Sequence, residues 1–185
     1  MKVTVYASSP NKDGLTAECA NAAVEGVRAA GLDAEIVWLN DENIGVCQAC
    51  GNGWGTCRTE HRCQAEDGFQ AAHERTCAAD GYVLVNPVYF GQLSESAKAF
   101  FDRLRRCEAT RGDESALKGR PAIGVAAAGG SGGGTATCLD EMNRLFAHLR
   151  CSVFDLITVT RKSRPYKPAT VRAAAEAMAR VMAGE

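Results

Sequence analysis

Short β-branched or apolar runs alternate five times with helix-period stripes along these 185 residues, and that alternation leaves few folds open. Residues 2–7, 33–39, 81–86, 122–127 and 153–159 read as strands. The third is almost continuously apolar, which predicts burial on both of its faces. A small-residue helix follows the first strand, another spans about 67–79, and Leu93, Ala97, Phe100, Phe101 and Leu104 share a helical face. Cys138, Leu139, Met142, Leu145, Phe146 and Leu149 form a further stripe, and Val171, Ala174, Ala175, Met178 and Met182 a terminal one. The pattern predicts an α/β domain with a doubly wound, five-stranded parallel sheet.

The chain has the length of one domain, 1–185, broken only by a cysteine-rich insertion at about 47–66. A net charge of −1 supplies no patch for nucleic acid or an anionic membrane surface. No apolar run reaches membrane-spanning length, and Lys2 leads into a strand rather than a signal peptide's apolar core. A cytoplasmic protein is the simplest expectation. Its nine cysteines then read as thiols or metal ligands, not disulfides.

In such a sheet, ligands collect outside the carboxyl ends of the strands. Three loops leave those ends with unusual composition. Ser8-Ser9-Pro10-Asn11-Lys12-Asp13-Gly14-Leu15-Thr16 brings hydroxyls and amides to the start of a helix, whose dipole attracts an anion. It lacks the Gly-Lys-Ser/Thr ending of a nucleotide P-loop and the G-x-G-x-x-G of a dinucleotide site. A monophosphate cradle or an ordinary βα turn remains. Pro87-Val88-Tyr89-Phe90-Gly91-Gln92 would suit a flat apolar ring, or else cap the core. The run from Gly129 to Gly134 either lets backbone amides approach a ligand or is a connector. Three such loops on one edge are more specific than any one.

These residues resemble the flavodoxin-like, NAD(P)H-dependent FMN reductases. Ser9 through Thr16 is similar to that family's G-S-P-R-K-x-G-N-T loop, departing at Asn11 and Leu15. Pro87 through Gly91, followed by Ser96-Ala97-Lys98-Ala99-Phe100-Phe101-Asp102-Arg103, resembles its P-V-Y-F-G … K-A-F-x-D-R segment. Ala128 through Gly134 resembles its A-G-G-x-G-G-G turn. The resemblance implies a flavodoxin-like fold, FMN as cofactor and NADH or NADPH as co-substrate. It assigns Ser9, Asn11, Lys12, Gly14, Leu15 and Thr16 to the FMN phosphate. Pro87, Val88, Tyr89, Phe90 and Gly91 would line the isoalloxazine, and Gly129, Gly130, Ser131 and Gly132 its pyrimidine edge. Charge developing at that edge on reduction needs fixed donors, so no catalytic side chain is required. His61, His73 and His148 accordingly read as surface or packing residues. The resemblance also implies a homodimer or homotetramer.

Cys47-x2-Cys50-x6-Cys57-x5-Cys63, followed by Glu66-Asp67, stands where the family's iron–sulfur flavoprotein branch carries four ligands of a [4Fe–4S] cluster. Four extra residues separate the second and third cysteines. The loop holds such a cluster, zinc, or no metal, and the longer gap weighs towards none. Cys19, Cys138 and Cys151 fall on apolar stripes, and Cys77 and Cys107 read as the same or as idle.

The expected function is electron transfer from NADH or NADPH through FMN to a quinone, azo or nitro compound, free flavin or protein acceptor. The alternatives are an iron–sulfur or flavodoxin-type electron carrier, and a non-enzymatic redox or metal sensor. A low-molecular-weight phosphatase is excluded, because residues 8–16 contain no nucleophilic cysteine.

Overall fold

The computed structural model describes residues 1–130 and 132–185. Ser131, expected at the pyrimidine edge, lies outside them. The order is β1 (Lys2–Ala7), α1 (Leu15–Ala29), β2 (Asp33–Trp38), the one-turn helices α2 (Cys50–Gly53) and α3 (Thr56–Thr59), and α4 (Phe69–Ala78). Then come β3 (Gly81–Pro87), α5 (Glu95–Glu108), a 3-10 segment (Ala109–Glu114), β4 (Pro121–Ala128), α6 (Thr135–His148), β5 (Ser152–Thr160) and α7 (Lys167–Ala183). The five strands pair in parallel in the order β2-β1-β3-β4-β5. This is the doubly wound sheet that the alternation predicts.

All seven residues of β3 are buried, as its apolar run requires of a central parallel strand. One face of the sheet packs Val3, Val5, Val83 and Val125 against α1 and α7. The other packs Tyr6, Leu84 and Ala126 against Phe69 of α4, Phe100 of α5 and Phe146 of α6. The small residues of α1 have a packing reason: a β-carbon on Gly26 would lie 2.1 Å from the Arg172 carbonyl oxygen of α7. Element ends differ by a residue or two from the sequence reading. β3 runs on to Pro87 because that residue still pairs opposite Ala127, and a terminal proline gives up no ladder donor in the strand's interior. Leu93 stands outside α5, because Ser94 caps that helix by accepting from the Ala97 amide at 3.4 Å.

From β1 the chain crosses to β2 on one side, and β3 lies on the other. The crossovers part there, opening a crevice at the carboxyl ends of β1 and β3. Among the described residues no helix is long and apolar enough to cross a membrane.

Candidate functional site

The loop after β1 curls so that Ser9 Oγ accepts from the Asn11 amide (3.2 Å) and Asn11 Oδ1 from the Asp13 amide (3.2 Å). Helix α1 then starts from Gly14, which offers no side-chain cap. Its first-turn amides have no helical acceptor. Ser8, Ser9 and Thr16 are buried, and the Thr16 hydroxyl has no hydrogen-bond partner among the described residues. Unfilled donors at the positive end of a helix dipole suit a phosphate. Lys12 is different. It is exposed, forms an ion pair with Asp41 and lies 5.6 Å from the Trp38 ring.

The other two loops are knitted together. The Val88 amide donates to Ala127 O (3.0 Å), and Thr137 Oγ1 donates to Gly91 O (2.9 Å). Tyr89 and Gln92 bond each other's backbone across Phe90 and Gly91, both at positive φ (55° and 81°), as in a type I′ turn. That turn leaves Tyr89 and Phe90 exposed instead of capping the core, while Pro87 is buried at the end of β3. Gly129 and Gly130 form a bare, exposed floor: a β-carbon on either meets nothing within 4 Å. Gly132 is tied in, since its β-carbon would lie 2.9 Å from Thr160 Cγ2.

Asn86 and Ser94, which sequence reasoning missed, join the loops into one site. Ser8 Oγ donates to Asn86 Oδ1 (2.8 Å), the Ser94 amide donates to the same oxygen (3.0 Å), and Ser94 Oγ donates to Ser8 O (2.9 Å). The signal was one amide side chain closing an otherwise apolar strand, where a buried polar group must be satisfied.

The cysteine insertion covers the outer side of α5. Cys47, Cys50, Cys57 and Cys63 all line one pocket, together with Arg103 and Arg106. Its void is about 20 Å³, room for about one water. A four-iron group would therefore need α2 and α3 to spread, where Gly51 and Gly53 already hold positive φ. Arg103 is buried and donates twice to Asp67 (2.6 and 2.9 Å), once to Gly45 O (2.9 Å) and once to Cys63 Sγ (3.2 Å). The Arg103 hydrogen bonds hold the Asp67 carboxyl at about 2. Arg106 donates to Gly53 O and stacks 4.2 Å from the Trp54 ring.

Burial pushes the thiols of Cys19, Cys77, Cys107 and Cys151 up to about 12, so they remain thiols. Among the described residues, His73, Cys77 and Glu108 are the group whose three ligand atoms lie within 4.8 Å of one another. That carboxylate is already filled by His73 Nε2 (2.7 Å), Ser115 Oγ (2.7 Å) and the Arg111 guanidinium (3.2 Å). It ties α4 and α5 to the segment behind them.

An uncapped helix start, an exposed glycine floor and an aromatic turn thus gather at the switch point of a 2-1-3-4-5 sheet. The family described as NADPH-dependent FMN reductase matches residues 1–164. The chain belongs to that family. Membership agrees with the flavodoxin-like sheet and names FMN as the cofactor of this fold's site. An iron–sulfur flavoprotein of Methanosarcina thermophila is 31% identical over 137 residues, covering 72% of this chain and 66% of that one, just under two thirds of its length. An iron–sulfur flavoprotein of Methanocaldococcus jannaschii is 27% identical over 146 residues, covering 79% and 72%. Among solved structures, the NAD(P)H:quinone oxidoreductase of Methanothermobacter marburgensis superposes with TM-score 0.71 at 18% identity, over 95% of this chain and 94% of that one. The flavodoxin of Megasphaera elsdenii gives 0.62 at 20%, over 97% and 98%. At such identities these two likenesses speak for the fold alone.

Proposed function

We propose that this FMN reductase relative carries electrons from NADH or NADPH to a quinone, azo or nitro compound, free flavin or protein acceptor. The observation that carries this is the uncapped start of α1, with Thr16 largely buried in its first turn and its hydroxyl unpartnered, facing the same crevice as the bare floor at Gly129 and Gly130. Bound FMN supplies the hydride chemistry. Ser9, Asn11, Gly14, Leu15 and Thr16 hold its phosphate by amides and hydroxyls, with Lys12 adding charge from the rim. Pro87, Val88, Tyr89, Phe90 and Gly91 wall the ring. Backbone amides around Gly129, Gly130 and Gly132, with Ser131 between them, face the pyrimidine edge, where fixed donors favour the extra negative charge. No acid, base or nucleophile from the chain is needed. Residues 1–185 act as one domain with the cysteine insertion as a lid. The exposed Phe90 and Tyr89 at the mouth favour a homodimer or homotetramer, and nine free cysteines favour the cytoplasm.

A second reading adds a metal centre. All four cysteines of the insertion meet at one pocket, and thiolates suit a [4Fe–4S] cluster. An absorption spectrum of protein purified without oxygen, followed by NADH and NADPH oxidation assays, tests both readings. Flavin bands with nicotinamide oxidation are expected, and a broad shoulder beside them marks the cluster. Flavin-free protein that fails to take up added FMN overturns the main reading.

A further inference from the structure

We propose that Arg103 and Arg106 are the counter-charge of an iron–sulfur centre in the four-cysteine pocket, and that they raise its reduction potential. The inference rests on the second reading above, that Cys47, Cys50, Cys57 and Cys63 are the ligands. A four-iron cluster on four thiolates is an anion, and each added electron makes it more so. The pocket meets that charge with two guanidiniums from one face of α5, three residues apart. They act differently. Arg103 donates directly to Cys63 Sγ at 3.2 Å, and Asp67 offsets its charge at 2.6 Å. It is therefore chiefly a hydrogen-bond donor to a ligand sulfur, one of the levers that set cluster potentials. Arg106 has no carboxylate partner among the described residues; it is held by Gly53 O and the Trp54 ring. Its charge is left for the pocket. Trp54 and Gly53 belong to the extra residues between the second and third cysteines. The longer loop thus carries the grip on Arg106.

Arg106→Gln and Arg106→Lys, with Arg103→Lys as a third variant, test this in full-length protein reconstituted anaerobically with iron and sulfide. Iron, sulfide and FMN are counted, and cluster reduction is followed by spectroscopic redox titration. Arg106→Gln should keep the wild-type iron and FMN but lower the potential. Loss of one charge-assisted interaction implies about tenfold in the one-electron reduction constant, or about 59 mV. Arg106→Lys should recover most of the shift, and Arg103→Lys should lower the potential with its metal retained. Iron-loaded variants titrating at the wild-type potential overturn the counter-charge role alone. Wild-type protein that takes up flavin but no iron overturns the second reading and this inference with it.

Discussion

Gly134 and Gly91 lie back to back, so close that a β-carbon on Gly134 would sit 2.6 Å from Gly91 Cα. Gly134 also holds φ +81°, where a side chain is strained even without the contact. This contact locks the β4 loop onto the β3 turn. Gly134→Ala should lower unfolding stability by more than about 1 kcal/mol, measured by urea denaturation. Gly130→Val is its control, since Gly130 faces open space and has no positive φ. That variant should fold with wild-type stability yet lose FMN retention or NAD(P)H oxidation, because the new side chain meets only what binds there. Wild-type flavin content and turnover in Gly130→Val would move the ring elsewhere.

Thr16 and Lys12 should separate in a flavin-binding titration. Thr16 is largely buried at the helix start, with its hydroxyl unpartnered among the described residues, whereas Lys12 is exposed and paired with Asp41. A hydrogen bond to a charged group contributes about 1.5–3 kcal/mol. Thr16→Val should therefore weaken FMN binding about tenfold or more, and Lys12→Ala should cost less. Equal losses would give the lysine a role that its ion pair with Asp41 does not suggest.

Asn86→Ala removes the shared acceptor of the Ser8 hydroxyl and the Ser94 amide, leaving the buried amide unmet and the hydroxyl with only a 3.5 Å contact to Val85 O. An unmet buried donor costs about 1–3 kcal/mol. We expect a clear fall in thermal stability together with weaker FMN retention, because Ser8 opens the loop proposed to hold the phosphate. Loss of stability with unchanged flavin affinity would make Asn86 a packing residue only.

Asp67 predicts an acid-sensitive insertion. Its carboxyl is depressed from an ordinary value of 3.8 to about 2, first by the Arg103 hydrogen bonds. A depressed carboxyl stabilises the fold fully above its unfolded value and loses that contribution as pH falls through the folded one. Stability should thus decline between pH 3.8 and about 2. Asp67→Asn should be less stable at neutral pH and flatter across that window, read from denaturation midpoints at each pH. Parallel curves for the two proteins would remove the Arg103–Asp67 pair as an anchor of the loop.

Sheet and helices were legible along the chain, because burial leaves a local period of two or 3.6 in residue type. Alternation alone determined the parallel α/β class, and residues 9–16, 87–91 and 129–134 marked the edge where a ligand would bind. Partners were not legible. Ser8 finds Asn86 across 78 positions, and Arg103 finds Cys63 across 40. Nothing in a local pattern encodes which buried donor meets which acceptor, since that depends on strand order and helix placement. The same holds for Lys12, whose ion pair joins it to Asp41, 29 positions along the chain. The sequence by itself determined the architecture and the chemical character of its loops, through short-range periodicity. Only the tertiary structure decided which side chains share a charge or a proton, because those choices are made between elements far apart in the chain.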